Sequence, residues 1–343
     1  MKISKNGACK VNEEKVTIIV GIYNSGKFLR KCLESLRTQT WTNIEVLMMN
    51  DGSTDNSGSI CDEFAKLDKR FIPIHKKNSG VCDSRNMALD IASGAYVCFI
   101  DGDDWFSPDF VEYMMNIIYL TKTQIALSDQ LFTTRNRKQI VNDKISVQDS
   151  SRVIADIIYE NMVLGPWNKM YSMSLINKYN IRFPPHWFGE TLHFANTIAY
   201  YSKKVGVGHR KVYNYRLNNA DSGTTKFNVE TRLLSLDNCL NLRNCIFANE
   251  KGIRDAIEWH IYTNYYGLLL NIVATNSKSR YISEYSEAKA YLKKNWFKVL
   301  IHSKANLKRK IAIVLEAFFP VVLSKLMIVK RKYALSKDLI KSA

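Results

Sequence analysis

The sequence predicts an α/β protein with a mostly parallel sheet, helices on both faces of that sheet, and a helical region after it. Apolar, strand-like runs begin near residues 16, 44, 71 and 96, at nearly even spacing. Segments with helical periodicity separate these runs, and such alternation is typical of βαβ units. From Val229 to Trp296 helical periodicity dominates, so a helical region is expected to follow the sheet.

The four predicted strands differ in composition. Residues 16–20 are mostly β-branched, and residues 44–49 form a second apolar run. The third run, 71–74, contains Pro73, which favours a position at the edge of the sheet. The fourth, 96–100, is continuously apolar, as expected of a strand that is buried on both faces of a parallel sheet.

The fourth strand ends at an acidic sequence, Asp101-Gly102-Asp103-Asp104. Carboxylates packed this closely repel each other, and a divalent cation is the usual means of keeping them ionised. Oxygen ligands of this kind favour Mg²⁺ or Mn²⁺. The alternative is a solvated acidic turn that caps a helix. Ser107 and Pro108 predict that a helix follows at once, with Ser107 as its N-cap.

Polar residues also follow the other strands, and the carboxyl ends of parallel strands meet at one edge, where α/β proteins bind ligands. There Tyr23 could stack on a base, Asp51 could accept a base N–H, and Arg85 could contact phosphate. Each residue also has a local alternative, as a turn, a helix cap or a surface ion pair. The absence of G-x-G-x-x-G and P-loop motifs argues against dinucleotide enzymes and P-loop NTPases.

Composition narrows the protein class and its partners. The net charge is +17, and residues 293–343 carry thirteen Lys or Arg against two acids, which predicts an anionic partner surface for the tail. Seven cysteines without a C-x-x-C pair predict neither a disulfide framework nor a zinc site. No apolar segment precedes Cys9, so a cytoplasmic location is expected. No recognition motif suggests a nucleic-acid partner.

Five motifs follow one another along the first third of the chain: Val20–Asn24, Ser35–Thr40, Asn50–Asp55, Asn78–Asn86 and Phe99–Trp105. Taken in this order, they resemble the motifs of the bacterial family 2 glycosyltransferases of GT-A fold. A sparser resemblance continues through 167–171, 181–184, 188–190 and 213–216. It implies an inverting hexosyl- or N-acetylhexosaminyltransferase of polysaccharide biosynthesis. Its donor would be a nucleotide-sugar, with a UDP-sugar as the first expectation, and its acceptor a saccharide or lipid-linked saccharide.

The resemblance also assigns site residues. It implies that Tyr23 and Asp51 hold the base, and that Arg85 lies near the nucleotide. Asp101, Gly102 and Asp103 form the D-x-D motif, in which Asp101 and Gly102 contact the nucleotide. The resemblance further implies that Asp101 and Asp103 bind Mg²⁺ or Mn²⁺, with Asp103 expected as the direct ligand.

The sequence departs from the family where the family has a Glu-Asp pair after Phe-Gly, because this chain has Glu190-Thr191. Threonine has no useful basicity near neutral pH. Glu190 is therefore the first candidate for the general base, and His193, one helical turn further on, is the second. The third possibility is a catalytically impaired relative that binds sugars or acts as a scaffold.

The predicted domains are a flexible N-terminus (1–14), a glycosyltransferase domain (15–225), a helical region (226–297) and a basic amphipathic tail (298–343). The glycosyltransferase domain divides into a nucleotide-sugar half (15–128) and an acceptor half (129–225). In the acceptor half, Trp167 could stack on a sugar or pack in the core. Polar residues 218–225 suggest a loop that closes over the site.

The tail has an apolar run between two basic triplets, Lys308–Lys310 and Lys330–Lys332. Glu316, Pro320 and Lys325 interrupt this run, which argues against a membrane-spanning helix. A broken helix in the interface of an anionic membrane fits better, and implies peripheral association with the inner face of the plasma membrane. The alternative is an ordinary helix docked on the body.

Overall fold

A computed structural model of the chain describes residues 14–185, 190–217 and 226–342. For Glu190 and for residues 334–342 it describes the backbone alone. The predicted flexible N-terminus up to residue 13 and the predicted loop 218–225 lie outside the described residues. The chain forms two compact units. The sheet unit comprises Met1–Ser150, Gly165–Pro185 and Tyr201–Arg216, and the helical unit comprises Ser151–Leu164, His186–Tyr200 and Leu217–Ala343.

The strands belong to two sheets. In chain order they are β1 (Val16–Ile22), β2 (Ile44–Asp51), β3 (Phe71–Lys76), β4 (Tyr96–Asp101), β5 (Trp105–Phe106), β6 (Ile125–Ser128), β7 (Phe132–Thr133), β8 (Ser146–Asp149), β9 (Lys169–Ser172), β10 (Lys204–Gly208) and β11 (Tyr213–Tyr215). An eight-stranded sheet has the order β3-β2-β1-β4-β9-β6-β10-β8, and a small sheet has the order β5-β11-β7.

The helices accompany the sheet in the first half of the chain and dominate the second half. They are α1 (Gly26–Arg37), α2 (Ser57–Leu67), α3 (Val81–Ile91), α4 (Phe110–Thr121), α5 (Ser150–Ile158), α6 (Met173–Lys178), α7 (Glu190–Ser202), α8 (Val229–Asn241), α9 (Lys251–Ala274), α10 (Ile282–His302), α11 (Leu307–Phe318) and α12 (Pro320–Ser342). Two short 3₁₀ helices, Leu242–Asn244 and Ile246–Asn249, lie between α8 and α9.

The four predicted strands are confirmed, and so is their parallel pairing. β1 pairs in parallel with β2 and β4, and β2 pairs in parallel with β3. β3, which contains Pro73, lies at the edge of the sheet as predicted. The core of this half packs the apolar side chains of β1, β2 and β4 against those of α1, α2 and α4. This arrangement follows from the burial of β-branched and apolar runs between layers.

The register of these strands brings their carboxyl ends level. Ile22 of β1 pairs with Asn50 of β2, and Gly21 pairs with Asp101 of β4. The residues that follow β1, β2 and β4 therefore emerge at one edge of the sheet.

The helix after the acidic turn begins later than the sequence predicts. Trp105 and Phe106 form β5, which pairs antiparallel with β11, and α4 begins at Phe110 with Asp109 as its N-cap. Ser107 is not the cap: its amide donates to the carbonyl of Val212 (2.8 Å). The segment that the sequence predicts as the start of a helix instead pairs with β11, a strand more than a hundred residues later in the chain.

The helical unit confirms the helical region predicted from the periodicity of residues 229–296. α9 is buried along most of its length; α10 and α12 pack against it, and α11 packs against α10 and α12. The hydroxyl of Tyr262 on α9 donates to the carbonyl of Ile313 on α11 (2.8 Å), which ties the tail to this unit. None of the helices in the described ranges has the length and apolar character needed to span a bilayer.

Candidate active site

The candidate site lies in the sheet unit, at the edge where β1, β2 and β4 end. Tyr23 follows β1 and is 54% exposed, Asp51 ends β2 and is buried, and Asp101 ends β4. The structure thus brings together the residues that the sequence places after separate strands. Space at Gly102 is tight, because a Cβ there would lie 3.1 Å from the Ser25 hydroxyl oxygen and 3.2 Å from the carbonyl oxygen of Gly21.

Asp51 is held by three donors. Its Oδ1 accepts from Lys76 Nζ (2.6 Å) and from the Ser79 amide (2.9 Å), and its Oδ2 accepts from the Gly80 amide (2.9 Å). Burial opposes ionisation of this carboxyl, but these hydrogen bonds outweigh it and hold the pKa of Asp51 below its ordinary value. A carboxylate has room for about four hydrogen bonds, so Asp51 can still accept one from a base.

Asp51 does not cap the helix that follows β2, which was the structural alternative. The N-cap of α2 is Asn56. Lys76 is a residue that the sequence analysis missed, although its position at the end of β3 provides a signal. The register of β2 and β3 pairs Asp51 with Lys76 directly.

Arg85 on α3 is buried and forms an ion pair with Asp101, with 3.2 Å between Nη2 and Oδ1. Its guanidinium lies over the ring of Phe183, at 5.2 Å from the centroid. Burial raises the pKa of Asp101; the charge of Arg85 opposes that effect, and the charge of Asp103 adds to it. Glu63, an exposed acid that could have formed the alternative surface ion pair with Arg85, pairs instead with Arg30.

Asp104 has a structural role that the sequence did not separate from its neighbours. It is buried, and its two oxygens accept from the Tyr213 hydroxyl and the Arg216 amide, each at 2.7 Å. Burial, with the charges of Asp103 and Asp101, raises the pKa of Asp104 well above its ordinary value. This residue fastens the acidic turn to β11 and is not a candidate metal ligand.

Two carboxylates of the turn, Asp101 and Asp103, are half-buried and fit a cation that takes hard oxygen ligands. In the described part of the chain, no group of three or more His, Cys, Asp or Glu side chains is arranged to hold a metal ion. The described residues therefore do not form a complete set of metal ligands by themselves. A magnesium or manganese ion here would complete its shell with water and with oxygens of a bound phosphate, as Mg²⁺ usually does.

Trp167 is packed in the sheet unit. Its ring stacks on Tyr213 (5.0 Å between centroids) and on Tyr215 (5.1 Å). The geometry agrees with the packing alternative.

The two candidate bases lie on α7. This helix begins at Glu190, whose side chain is outside the description, as are residues 186–189 before it. His193 is half-buried, and desolvation lowers the pKa of its imidazole. Its Nδ1 is buried and has no hydrogen-bond partner among the described residues. Both residues remain predictions for the general base.

Comparison with known proteins identifies the family. The model of glycosyl transferase family 2 matches residues 17–205, which is more than half of the chain. The chain is 33% identical over 216 residues to the glycosyltransferase GlyA of Streptococcus pneumoniae, covering 60% of the chain and 31% of GlyA. It is 33% identical over 211 residues to the putative glycosyltransferase EpsH of Bacillus subtilis, covering 59% of the chain and 60% of EpsH. The matches thus span less than two thirds of either relative.

Solved structures share the fold. TarS residues 1–349 of S. aureus, in complex with UDP-GlcNAc, align with a TM-score of 0.64 at 18% identity, covering 93% of this chain and 92% of that one. A mannosyltransferase of Pyrobaculum calidifontis, in complex with GDP-Man and Mn²⁺, aligns with a TM-score of 0.55 at 14% identity, covering 96% and 88%. The predicted GT-A type α/β fold with C-terminal helices is confirmed. The chain belongs to glycosyl transferase family 2.

Proposed function

We propose that the protein is an inverting glycosyltransferase that moves a sugar from a nucleotide-sugar to a saccharide acceptor in the synthesis of cell-surface polysaccharide. The observation that carries this proposal is the acidic turn at the end of β4. Its carboxylates Asp101 and Asp103 lie at the sheet edge that also holds Asp51 and the exposed Tyr23. Ligands of α/β proteins bind at such an edge.

The donor proposed is a UDP-sugar. The TarS structure contains UDP-GlcNAc, and the present chain offers matching chemistry for a nucleotide. The exposed ring of Tyr23 provides a face for the base, and the ionised carboxylate of Asp51 can accept a base N–H. Arg85 contributes positive charge next to Asp101, close to where a diphosphate would lie.

We propose Asp101 and Asp103 as ligands for Mg²⁺ or Mn²⁺, with Asp103 in direct contact. The mannosyltransferase that shares the fold is a complex with Mn²⁺. When bound, such a cation neutralises charge that develops on the leaving diphosphate. Within the chain, Arg85 keeps Asp101 in position, and the buried contacts of Asp104 keep the turn in shape.

For the base we propose Glu190 first and His193 second. Inversion requires the acceptor hydroxyl to attack from the face opposite the leaving group, and a base on that face takes its proton. A neutral imidazole can accept a proton, and desolvation of His193 favours its neutral form. If neither residue acts, the remaining proposal is a sugar-binding or scaffolding relative, which Thr191 in place of the family's Asp supports.

We further propose that the tail binds an anionic membrane surface. α11 and α12 each expose an apolar stripe at helical spacing. Its members are Leu307, Ile311, Leu315 and Phe318 on α11, and Val322, Leu326, Val329 and Tyr333 on α12. Basic residues flank both stripes, including Lys308, Lys325 and Lys330. An exposed apolar stripe with flanking lysines is typical of helices that lie in a membrane interface.

The interruptions of the apolar run agree with this proposal. Pro320 begins α12, so the run is a pair of helices with a break between them. Glu316 does not lie on the exposed stripe: it is 1% exposed and pairs with Arg309 (3.3 Å). One face of the tail therefore packs against the other helices of its unit, and the opposite, apolar face is exposed. Because we propose that this face binds a membrane, the acceptor we propose is a lipid-linked saccharide at that membrane.

The test of the proposed function is a panel of nucleotide-sugars with the purified full-length protein, Mn²⁺ or Mg²⁺ and saccharide acceptors. Binding is measured by calorimetry, and transfer and anomeric configuration by NMR. We expect one UDP-sugar to bind in a metal-dependent manner and to yield a product of inverted configuration. A retained configuration would refute the inverting mechanism. Metal-dependent binding without transfer to any acceptor would favour the impaired relative.

A further inference from the structure

Three cationic side chains surround the ring of Trp105, directly after the acidic turn. Lys31 Nζ lies 3.5 Å from the indole centroid. The guanidinium carbons of Arg216 and Arg137 lie 5.1 and 5.7 Å from it. All belong to the sheet unit. We call Lys31, Arg137 and Arg216 the Trp105 cation cluster.

Other contacts hold the two guanidinium groups in place. Arg137 Nη1 donates to the side-chain oxygen of Asn214 (2.7 Å). Arg216 Nε donates to the carbonyl of Asp103 (2.8 Å), and its guanidinium lies over the ring of Phe28 at 4.2 Å. Side chains that are already positioned lose little conformational entropy when a ligand binds, so the cluster is preorganised.

The cluster concentrates positive charge. Burial lowers the pKa of Lys31, and the nearby charges of Arg216 and Arg137 lower it further. The side-chain contacts described for the three residues are aromatic rings, an amide oxygen and a carbonyl oxygen, with no carboxylate among them. Three like charges at these distances repel one another, and an anionic ligand relieves that repulsion.

We propose that the Trp105 cation cluster binds a phosphate group of a substrate. Planar guanidinium groups match phosphate oxygens with two parallel hydrogen bonds, and an ammonium group adds a point charge. The cluster adjoins Asp103 through Arg216, next to the carboxylates proposed to hold the cation. This inference rests on the proposed function for the identity of the substrate. The phosphate belongs either to the diphosphate of the donor or to a phosphorylated acceptor.

The first measurement is calorimetric binding of inorganic pyrophosphate to the full chain. Arg137→Gln and Lys31→Gln should each weaken binding about tenfold, because each removes a charge-assisted hydrogen bond. Arg137→Lys keeps the positive charge but lacks the planar guanidinium group, so it should lose less pyrophosphate affinity than Arg137→Gln. Lys66→Gln, an exposed lysine on α2, is the matched control and should bind as the wild type does. Arg216 is left intact because its backbone and side chain hold the acidic turn.

Thermal unfolding of each variant shows whether that variant folds. Because Arg137→Gln and Lys31→Gln are separate variants, the test remains valid if one of them does not fold. Equal pyrophosphate affinity in the wild type and in every folded cluster variant would overturn the proposal. The pyrophosphate measurement decides this independently of whether the protein transfers sugar. Normal dependence on the cluster, with no transfer from any nucleotide-sugar, would refute the proposed function and leave the phosphate site standing.

Two further assays identify the source of the phosphate. If the cluster binds the donor diphosphate, Arg137→Gln should weaken UDP binding by the same factor. If it binds the acceptor, UDP affinity should stay unchanged, and KM should rise for a phosphorylated acceptor but not for its neutral analogue. Unchanged UDP affinity together with unchanged KM for the phosphorylated acceptor would overturn the proposal.

Discussion

Three acids within four residues acquire different roles because their neighbours differ. Asp104 is enclosed by Tyr213 and the Arg216 amide, and Asp101 pairs with Arg85. Asp103 is half-buried and lies beside them. The environment of a carboxylate thus decides whether it stabilises the turn, as Asp104 does, or pairs with an internal cation, as Asp101 does.

The first prediction concerns Asp103. Asp103→Asn should weaken Mn²⁺-dependent UDP binding about tenfold or more, because even the loss of a residue that supports a metal ligand costs about 10- to 100-fold. The midpoint of thermal unfolding should barely change. Calorimetry with and without Mn²⁺ measures the binding. Asp104→Asn is the contrast: it should lower the unfolding midpoint, since it disturbs buried hydrogen bonds. Unchanged Mn²⁺ dependence in Asp103→Asn would exclude it as a ligand.

The second prediction concerns the base. Glu190→Gln should lower kcat about a hundredfold with little change in donor affinity, since a general base contributes about 10²- to 10⁴-fold. His193→Ala should be mild. Thr191→Asp restores the acidic pair of the family and should not reduce kcat. Steady-state kinetics on one acceptor compares the three. A large loss in His193→Ala with a small one in Glu190→Gln would transfer the role to His193.

At the scale of elements, α11 illustrates how a helix buries a charge while exposing apolar side chains. Amphipathic helices normally face the core with their apolar side. In α11, Ile313, Glu316 and Ala317 are buried, whereas Ile311 and Leu315 are exposed. Burial raises the pKa of Glu316 to about 7, although the charge of Arg309 opposes that shift.

The third prediction follows from this shift. Between pH 4.5 and 7, folded Glu316 keeps a proton that the unfolded chain releases, so the free energy of unfolding falls as pH rises through this range. The contribution of the protonated Glu316 carboxyl to the free energy of unfolding is complete below pH 4.5 and lost above pH 7. It amounts to at most about 3 kcal/mol. Glu316→Gln should therefore gain stability relative to the wild type as the pH rises from 5 to 8.

Urea unfolding at pH 5 and pH 8 measures this difference. Glu250→Gln, the same acid-to-amide change at an exposed position, is the matched control. If the free energies of unfolding of Glu316→Gln and the wild type differed by the same amount at both pH values, the prediction of a raised pKa for Glu316 would be wrong.

At the scale of the whole molecule, the positive charge is unevenly distributed. The segment 293–343 carries thirteen of the 49 Lys and Arg residues but two of the 32 acids. Each Lys or Arg near an anionic surface contributes about 1 kcal/mol of binding. The exposed stripes of α11 and α12 add an apolar contribution that salt does not screen.

The fourth prediction is that these stripes bind vesicles. The double variant Ile311→Ser, Leu326→Ser should reduce co-sedimentation with anionic vesicles about tenfold or more, because it removes two apolar anchors. Ile282→Ser, an equally exposed apolar residue on α10, is the control. Binding of the wild type should weaken with salt without vanishing. Equal sedimentation of the double variant and the control would leave the stripes without a membrane role.

Substitutions are preferable to truncation of the tail. The inner faces of α11 and α12 cover part of the helical unit, and Tyr262 and Tyr266 of α9 hydrogen-bond to Ile313 and Met327. Removing the helices would expose buried rings and destabilise the unit, so lost vesicle binding could not be separated from misfolding.

Part of the architecture is determined by local sequence alone. The spacing of apolar runs predicted β1 to β4 and their parallel order, and Pro73 placed β3 at the edge, because an amide-free residue is tolerated there. The carboxylates after β4, and the motifs around them, predicted the candidate site and the family. These signals can be recognised in the sequence alone because periodicity and turn chemistry depend on residues that are neighbours along the chain.

Contacts between distant segments decided the rest. β9 enters the sheet antiparallel beside β4, and Tyr213 of β11 binds Asp104, more than a hundred residues earlier in the chain. The clustering of cations around Trp105 joins three separate segments in the same way. Glu316 interrupts an apolar run in sequence, but it is directed inward, because α11 must bury one face against its unit. Which face is buried depends on the surface that a helix meets, and only the tertiary structure supplies that surface.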